Sequence, residues 1–535
     1  MKRTKTATFL LELPLRVDAG QARRLRAHFE AARCFYNAIL GEANKRLRLM
    51  RADPAWQAAR TIPRHHKQER SRTFSHLRNL YQFSEYDLHI SATQLRTSWI
   101  ADHLDANTAQ TLASRAFQAA NRVVLGQAKK ARFRSCGRGL DSVEGKSNQQ
   151  GLRFVLQDST QENTGWMVWG NERIPAIINW KDPVIRHGLK QRIKYTRLVR
   201  HKASSPQAQG ADIEGNRYFV QLILEGRAYQ KPKNLPGSDR IGLDIGPSSL
   251  AIVSQQGHVQ LKPFCEELQP DIRKNRRLQR QLERQRRANN PENYDEKGRV
   301  KKGRWHWKES RRYQQTRRQH ANAERRLAAH RKSLHGYLVN SLVRLGNRIQ
   351  IEKTSFRGWQ KLYGKSVNLR APGMFYEHLK RIVAKTGGTL REVGTFKTRL
   401  SQYCHGCKTY HKKPLSQRWH QCPCGIGPVQ RDLYSAFLLA YLQGTDMIPS
   451  ISHDEWEGAE PRLLAEIERL KQRANEGQSL PRSFGIPRAG ARRPKSLSPN
   501  RQDPMLQYHR GRLETLGLVK DPSRRRDRGG FSRTL

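Results

Sequence analysis

Lys and Arg outnumber Asp and Glu by 101 to 46 in this 535-residue chain, a formal charge of +55 at pH 7. Self-repulsion of that size opposes compaction unless a polyanion neutralises it, and nucleic acid is the partner class it implies. The excess is concentrated: residues 271–332 hold 22 Lys and Arg against 7 Asp and Glu. Helical spacing runs through this window in two stretches broken at Asn289, Asn290 and Pro291, with Trp305, His306 and Trp307 interleaved. We read a basic helical hairpin that tracks phosphates. Its first stretch carries Arg273, Lys274, Arg276, Arg277, Arg280 and Arg284, and its second Arg311, Arg312, Arg317 and Arg318. Trp305 and Trp307 either stack on bases or pack the hairpin. An anionic membrane is the other large polyanion. No apolar run approaches the ~18 residues of a spanning helix, and Glu12 and Pro14 interrupt the N-terminal apolar stretch, so no membrane role and a cytoplasmic location are expected.

The chain is too long for one ordinary domain. Residues 5–13 read as a strand, followed by a helix with Leu25, Phe29, Ala32, Tyr36 and Ile39 on one side and Arg23, Arg24 and Arg26 on the other. A second helical region over 75–130 has an apolar stripe of Leu112, Ala116, Ala119 and Val123, and leads into Lys129, Lys130, Arg132 and Arg134. Short β-rich stretches at 152–156, 166–169, 192–199 and 218–224 suggest a small barrel. The Lys/Pro/Gly-rich segment 231–239 is a linker. After it come strands at 241–245, 249–254 and 257–262, the basic hairpin, and an apolar stripe of Leu334, Leu338, Leu342 and Leu345 that docks the hairpin. A strand at 348–352, a helix at 373–386, a strand at 389–393 and a helix at 432–442 complete the region. Beyond 443 one amphipathic helix with Leu463, Leu464, Ile467 and Leu470 precedes a Pro/Arg/Ser-rich tail. The expected organisation is a β-barrel from 1–15 and 138–232, a helical nucleic-acid recognition lobe over 16–137, and an α/β domain over 240–442 with insertion 271–345. A basic, largely flexible extension occupies 443–535.

Three acids stand at the ends of separate elements: Asp244 on an apolar strand, Glu352 on a later one, and Asp432 opening a helix. A carboxylate flanked by Ile and Leu must be compensated by hydrogen bonds or a metal. Phosphodiester hydrolysis by two Mg²⁺ about 4 Å apart needs several carboxylates converging on one point, and these three can supply it. Taken singly, each acid reads first as surface charge or, for Asp432, as a helix cap, and only the three together point to metal chemistry.

Cys404-x-x-Cys407, fourteen intervening residues and Cys422-Pro-Cys424 supply four thiolates on two turns, enough for one tetrahedral Zn²⁺ in a ribbon over 400–427. The second turn is one residue shorter than the usual C-x-x-C, so His405, His411 or His420 can substitute for a cysteine. A closed four-thiolate site leaves no place for water and is structural. Cys34, Cys136 and Cys265 stand alone as packing residues.

The order Asp244-Ile245-Gly246, arginine-rich insertion, strand Glu352, zinc ribbon and Arg431-Asp432 resembles the RuvC-like nuclease domain of transposon-encoded TnpB proteins and type V CRISPR effectors. The likeness extends to Cys34-Phe35-Tyr36-Asn37, to Ala131-Arg132-Phe133-Arg134, to strand 218–224 and to most of 240–440. Tyr434 and Ser435 depart from the family's Asn and Ala, and Lys353 and Thr354 from its Asp and Leu. The resemblance implies a multidomain α/β protein with an RNase-H-like (RuvC) domain, a zinc ribbon, a helical recognition lobe and a small, wedge-like β-barrel. It implies Asp244, Glu352 and Asp432 as ligands of two catalytic Mg²⁺, a guide RNA and double-stranded DNA as partners, and a prokaryotic, nucleoid-associated setting for a monomer or homodimer. The expected activity is RNA-guided DNA cleavage next to a short flanking motif. Alternatives are a guide-directed DNA-binding regulator, if Tyr434 or Lys353 blocks the metals, and an RNA-independent RNase-H-fold transposase or resolvase.

Overall fold

The computed structural model describes residues 6–487 except 64, 138, 158–163, 204–211, 213–214, 304–305, 415, 444–450 and 452. The chain is mixed α/β and divides into two compact units between Gln230 and Lys231, at the start of the Lys/Pro/Gly segment. No helix among the described residues is long and apolar enough to cross a membrane.

In the first unit, strand β1 (Thr8–Pro14) leads into the long helix α1 (Ala19–Ala52), where Asp18 and Gln21 form a reciprocal capping box. Helices α2 (Pro54–Thr61), α3 (Lys67–Leu80), α4 (Glu85–Arg96) and α5 (Ala106–Val124) follow. Leu25, Phe29, Ala32, Tyr36 and Ile39 of α1 share one core with Leu112, Ala116 and Val123 of α5, as their spacing requires. The β-rich part comprises β2 (Ser142–Glu144), β3 (Arg153–Gln157), β4 (Thr164–Trp169), β5 (Glu172–Pro175), helix α6 (Pro183–Leu189), β6 (Ile193–Lys202) and β7 (Asn216–Glu225). Its strands lie in two sheets, ordered β1-β7-β6-β2 and β3-β4-β5. They meet edge to edge where Leu15 bridges Ala176 and the Ile177 N–H donates to the Pro14 carbonyl at 2.8 Å.

The second unit is built on a five-stranded sheet ordered β10-β9-β8-β11-β12. Strands β8 (Arg240–Ile245), β9 (Ser249–Ser254) and β10 (Val259–Pro263) form an antiparallel meander. Helices α7 (Ile272–Asn289) and α8 (Arg311–Leu345) intervene before β11 (Arg348–Glu352), which pairs parallel to β8. Then come α9 (Phe356–Arg370), α10 (Pro372–Lys385) and β12 (Thr389–Val393), the last parallel to β11. The short turn α11 (Thr395–Thr398), strands β13 (Trp419–His420) and β14 (Val429–Gln430), and helices α12 (Arg431–Tyr441) and α13 (His453–Asn475) complete it.

Strand parity divides the sheet's two faces. Ile241, Leu243, Ile245, Ile349 and Ile351 point to one side and pack with Leu338, Val339 and Leu342 of α8 and Phe375 and Leu379 of α10. Gly242, Asp244, Gln350 and Glu352 point to the other, beneath α12. A Cβ at Gly242 would lie 1.9 Å from the Ala436 carbonyl oxygen, so only glycine lets the helix come this close. Gln350 Nε2 donates to the Leu442 carbonyl at 2.6 Å and fixes the other end of α12.

The extension from 443 is not loose throughout. Trp456, Leu463, Ile467 and Leu470 of α13, with Leu480 and Phe484 beyond it, are buried in one core with Leu433, Phe437 and Leu439 of α12. Within the extension expected to be basic and largely flexible, the apolar stripe read from the sequence has a partner, the outer side of α12, and packing continues to Phe484. Residues 488–535 lie outside the described residues, as does Trp305.

Candidate active site and metal centre

Asp244 and Glu352 sit side by side. Leu243 is paired with Ile351 in the parallel β8–β11 ladder, so the next residues, on the α12 face, occupy neighbouring strands roughly 4.8 Å apart. Asp432 joins them from the first turn of α12, whose N-cap Gln430 accepts from the Leu433 N–H at 2.8 Å. All three carboxylates are partly exposed. Burial raises Asp244 well above the carboxylate range, and the charges of Asp432 and Glu352 add to the rise. Burial lifts Glu352 to about 7 and also raises Asp432, which Arg431 and Arg418 hold back. Three acids in mutual repulsion in a desolvated recess hold protons tightly until a cation replaces them. They are not drawn into a cluster as tight as the thiols described below.

Two arginines serve this recess: Arg431, which the resemblance already set beside Asp432, and Arg418, which the sequence reading missed. Arg431 is nearly buried, with Nε 3.7 Å from Asp432 Oδ1 and Nη1 donating to the Gln417 carbonyl at 3.0 Å, while its backbone N–H donates to the Arg418 carbonyl at 2.8 Å. It ties the loop before β13 to the acids. The half-buried Arg418 guanidinium has no hydrogen-bond partner among the described residues and lines a cavity of about 490 Å³ together with Asp432. Neither residue belongs to a periodic pattern, so spacing alone could not single them out.

The four cysteines Cys404, Cys407, Cys422 and Cys424 bring their Sγ atoms within 4.8 Å of one another and are positioned to bind a metal ion. Sulfur pairs lie 3.5 Å (Cys404–Cys424) and 3.4 Å (Cys407–Cys422) apart, near the ~3.8 Å that four Zn–S bonds of about 2.3 Å impose. The shortened second turn therefore still delivers its thiol. Burial raises Cys404 and Cys422, whereas the Thr409 hydroxyl and His411 lower Cys407 to about 5. His411 touches the group at its edge, Nε2 3.4 Å from Cys422 Sγ. His405 and His420 are drawn away by Tyr434. The His405 N–H donates to Tyr434 Oη at 3.0 Å, and the His420 ring stacks on the Tyr434 ring at 4.0 Å. Tyr434 thus points at the ribbon, and Lys353 is exposed, so neither departure from the family pattern enters the acid recess.

The basic residues remain outside. Arg273, Arg276, Arg277, Arg280 and Arg284 of α7 line one open groove of about 770 Å³ with Arg287. Lys274, Arg311, Arg312, Arg317 and Arg318 are exposed, Arg317 paired with Glu309. Trp307 packs the hairpin, with the Arg286 guanidinium 4.9 Å from its ring centre and Tyr294 edge-on at 6.0 Å. In the first unit Lys129, Lys130 and Arg132 are exposed, while the Arg134 backbone is clamped by both amide atoms of Asn37 at 2.8 Å.

No model of a known protein family matches the sequence, and no curated protein does. Among solved structures, the chain is similar to one described as a cryo-EM structure of a CRISPR-Cas12f ternary complex. The TM-score is 0.24 and the identity 11 %, over 81 % of this chain and 86 % of that one.

Proposed function

We propose that the chain is an RNA-guided DNA endonuclease that hydrolyses phosphodiester bonds at one RuvC-like site formed by Asp244, Glu352 and Asp432. The observation that carries the reading is the meeting of these three acids, from two parallel strands and a helix start, with burial raising the proton affinity of each. Hard oxygen donors of this kind suit Mg²⁺, which when bound supplies an activated water and stabilises the leaving oxygen. The three-strand meander followed by two parallel strands, with a helix laid across the acid face, agrees with the RNase-H-like class expected from the sequence.

The chain's own residues would divide the work as follows. Arg418, beside Asp432 and without a hydrogen bond among the described residues, faces the scissile phosphate and neutralises it. Arg431, with Nε 3.7 Å from Asp432 Oδ1, holds Asp432 in place. The α7 groove follows a phosphate backbone without reading bases, so base pairing by a guide RNA carries sequence specificity and the protein reads the short flanking motif. The thiol cluster, closed by four sulfurs, holds one zinc for structure alone.

Purification from cells carrying the gene with its native flanking DNA, followed by sequencing of co-purified RNA, tests the guided reading. A defined RNA with a constant scaffold and a variable segment is expected. Cleavage by protein freed of RNA would replace this reading with a protein-only nuclease.

A further inference from the structure

The cavity beside Asp432 has a wall that comes from the C-terminal extension. We propose that residues 479–483 form one side of the substrate cleft, where they bind the sugar–phosphate backbone of a single DNA strand next to the carboxylates. The inference rests on the nuclease reading for its substrate class. It extends that reading to a segment outside the nuclease domain expected over 240–442.

Ser479, Leu480, Pro481, Arg482 and Ser483 line the cavity opposite the β8–β9 turn at 246–249 and α9. The segment is built in. Leu480 and Phe484 are buried at 6 % and 0 % exposure, and Gln430 Nε2, at the cap of α12, donates to the Ser483 carbonyl at 3.3 Å. Gly485, at φ +70°, packs against Arg418, whose Cβ is 2.6 Å from where a Gly485 Cβ would stand. Across the cavity, Ser366 Oγ donates to the Pro247 carbonyl at 2.5 Å and Arg370 Nε to the Phe264 carbonyl at 2.6 Å, so that side is fixed too.

Two hydroxyls on this lining have no partner. Ser249 Oγ, on a residue 1 % exposed, and Ser483 Oγ are both buried without a hydrogen bond. Buried polar groups are rarely left so, and these two, closed to solvent as they stand, reach a ligand in the cavity only by turning about their own side-chain bonds. The half-buried Arg418 guanidinium, which acts on Asp432 by charge, and the exposed Arg482 make no hydrogen bond among the described residues, while Arg370 is already engaged. Hydroxyls and such guanidiniums in one recess call for a ligand rich in acceptor oxygens, and a phosphodiester is one. Glu266 and Asp432 line the same space, so the anion seats toward the arginines. A volume of about 490 Å³ admits a nucleotide or two of one strand and is too small for a duplex.

The test uses the full-length protein in Ca²⁺ and single-stranded DNA oligonucleotides carrying 5-iodouracil. Photo-crosslinking and peptide mapping should place a crosslink within 479–483. Arg482→Glu should weaken oligonucleotide binding about tenfold, the scale of one charge-assisted contact, and Arg482→Lys should restore most of it with an unchanged melting temperature. Crosslinks confined to α7 and α8, with Arg482→Glu binding within twofold of the parent, would overturn the inference. If no guided cleavage is ever found but the crosslink maps to 479–483, the wall stands and the nuclease reading falls. If guided cleavage is found and both Arg482 variants bind as the parent does, the wall falls alone.

Discussion

The thiol cluster and the carboxylate recess lie in the same unit, yet they are assembled by opposite means. The four sulfurs come from two tight turns within a 21-residue stretch, Cys404 to Cys424, and local chain geometry suffices to gather them. The three acids span 244 to 432, and only the parallel pairing of β8 with β11 and the approach of α12 over Gly242 bring them together. Soft donors that gather locally make a closed site which holds structure. Hard donors gathered by tertiary packing remain partly exposed and proton-loaded, which is what a reactive site requires.

The contrast breaks most plainly on the acids. Asp244→Ala, Glu352→Ala or Asp432→Ala should each lower guided cleavage by about 10³-fold or more, with RNA and DNA binding retained. A variant that cuts at the parental rate would remove that residue from the site. On the other side, Cys404→Ser should lose the stoichiometric zinc and lower the melting temperature by roughly 5–10 °C, as loss of a folding metal does. Metal analysis and calorimetry check both, and an unchanged zinc content would show Cys404 is no ligand.

Gly242→Ala separates assembly from chemistry. Its methyl would meet backbone atoms of Ala436 and Ala440, so α12 must retreat, at a cost of about 1–3 kcal/mol in denaturant melts together with lost activity. Stability and activity both at the parental level would contradict the close approach. A smaller effect follows from Glu352. Its folded pKa of about 7 lies above the usual 4.5, so in zinc-loaded, Mg²⁺-free protein its contribution to stability is full below pH 4.5 and is lost as pH rises toward 7. Melting temperatures across this window should fall with pH, Mg²⁺ should reverse the fall, and Glu352→Gln should reduce it, the remainder coming from Asp244 and Asp432.

Much of this was legible in the sequence because apolar spacing and donor spacing are local signals. Strands β9, β11 and β12 fall where alternating and β-branched residues put them, and the Cys spacing identifies the thiol group outright. Asp244 and Glu352 were legible as out-of-place charges in apolar strands and Asp432 as an acid opening a helix, but their convergence depends on a register that no local pattern encodes. Arg418 carried no signal, since one more arginine in a chain of charge +55 is invisible until its surroundings are known, and Arg431 was legible only through its place beside Asp432 in the motif. Helix α13 shows the same limit: its stripe was readable, but the surface of α12 that it covers was not.

The most direct test of the central claim is a cleavage assay with the protein–RNA complex, Mg²⁺ and a DNA duplex matched to the guide, comparing the parent with Asp244→Asn. The account predicts specific strand cleavage by the parent and none by Asp244→Asn at equal DNA binding. Equal cleavage by both, or binding without cleavage by the parent, would contradict it.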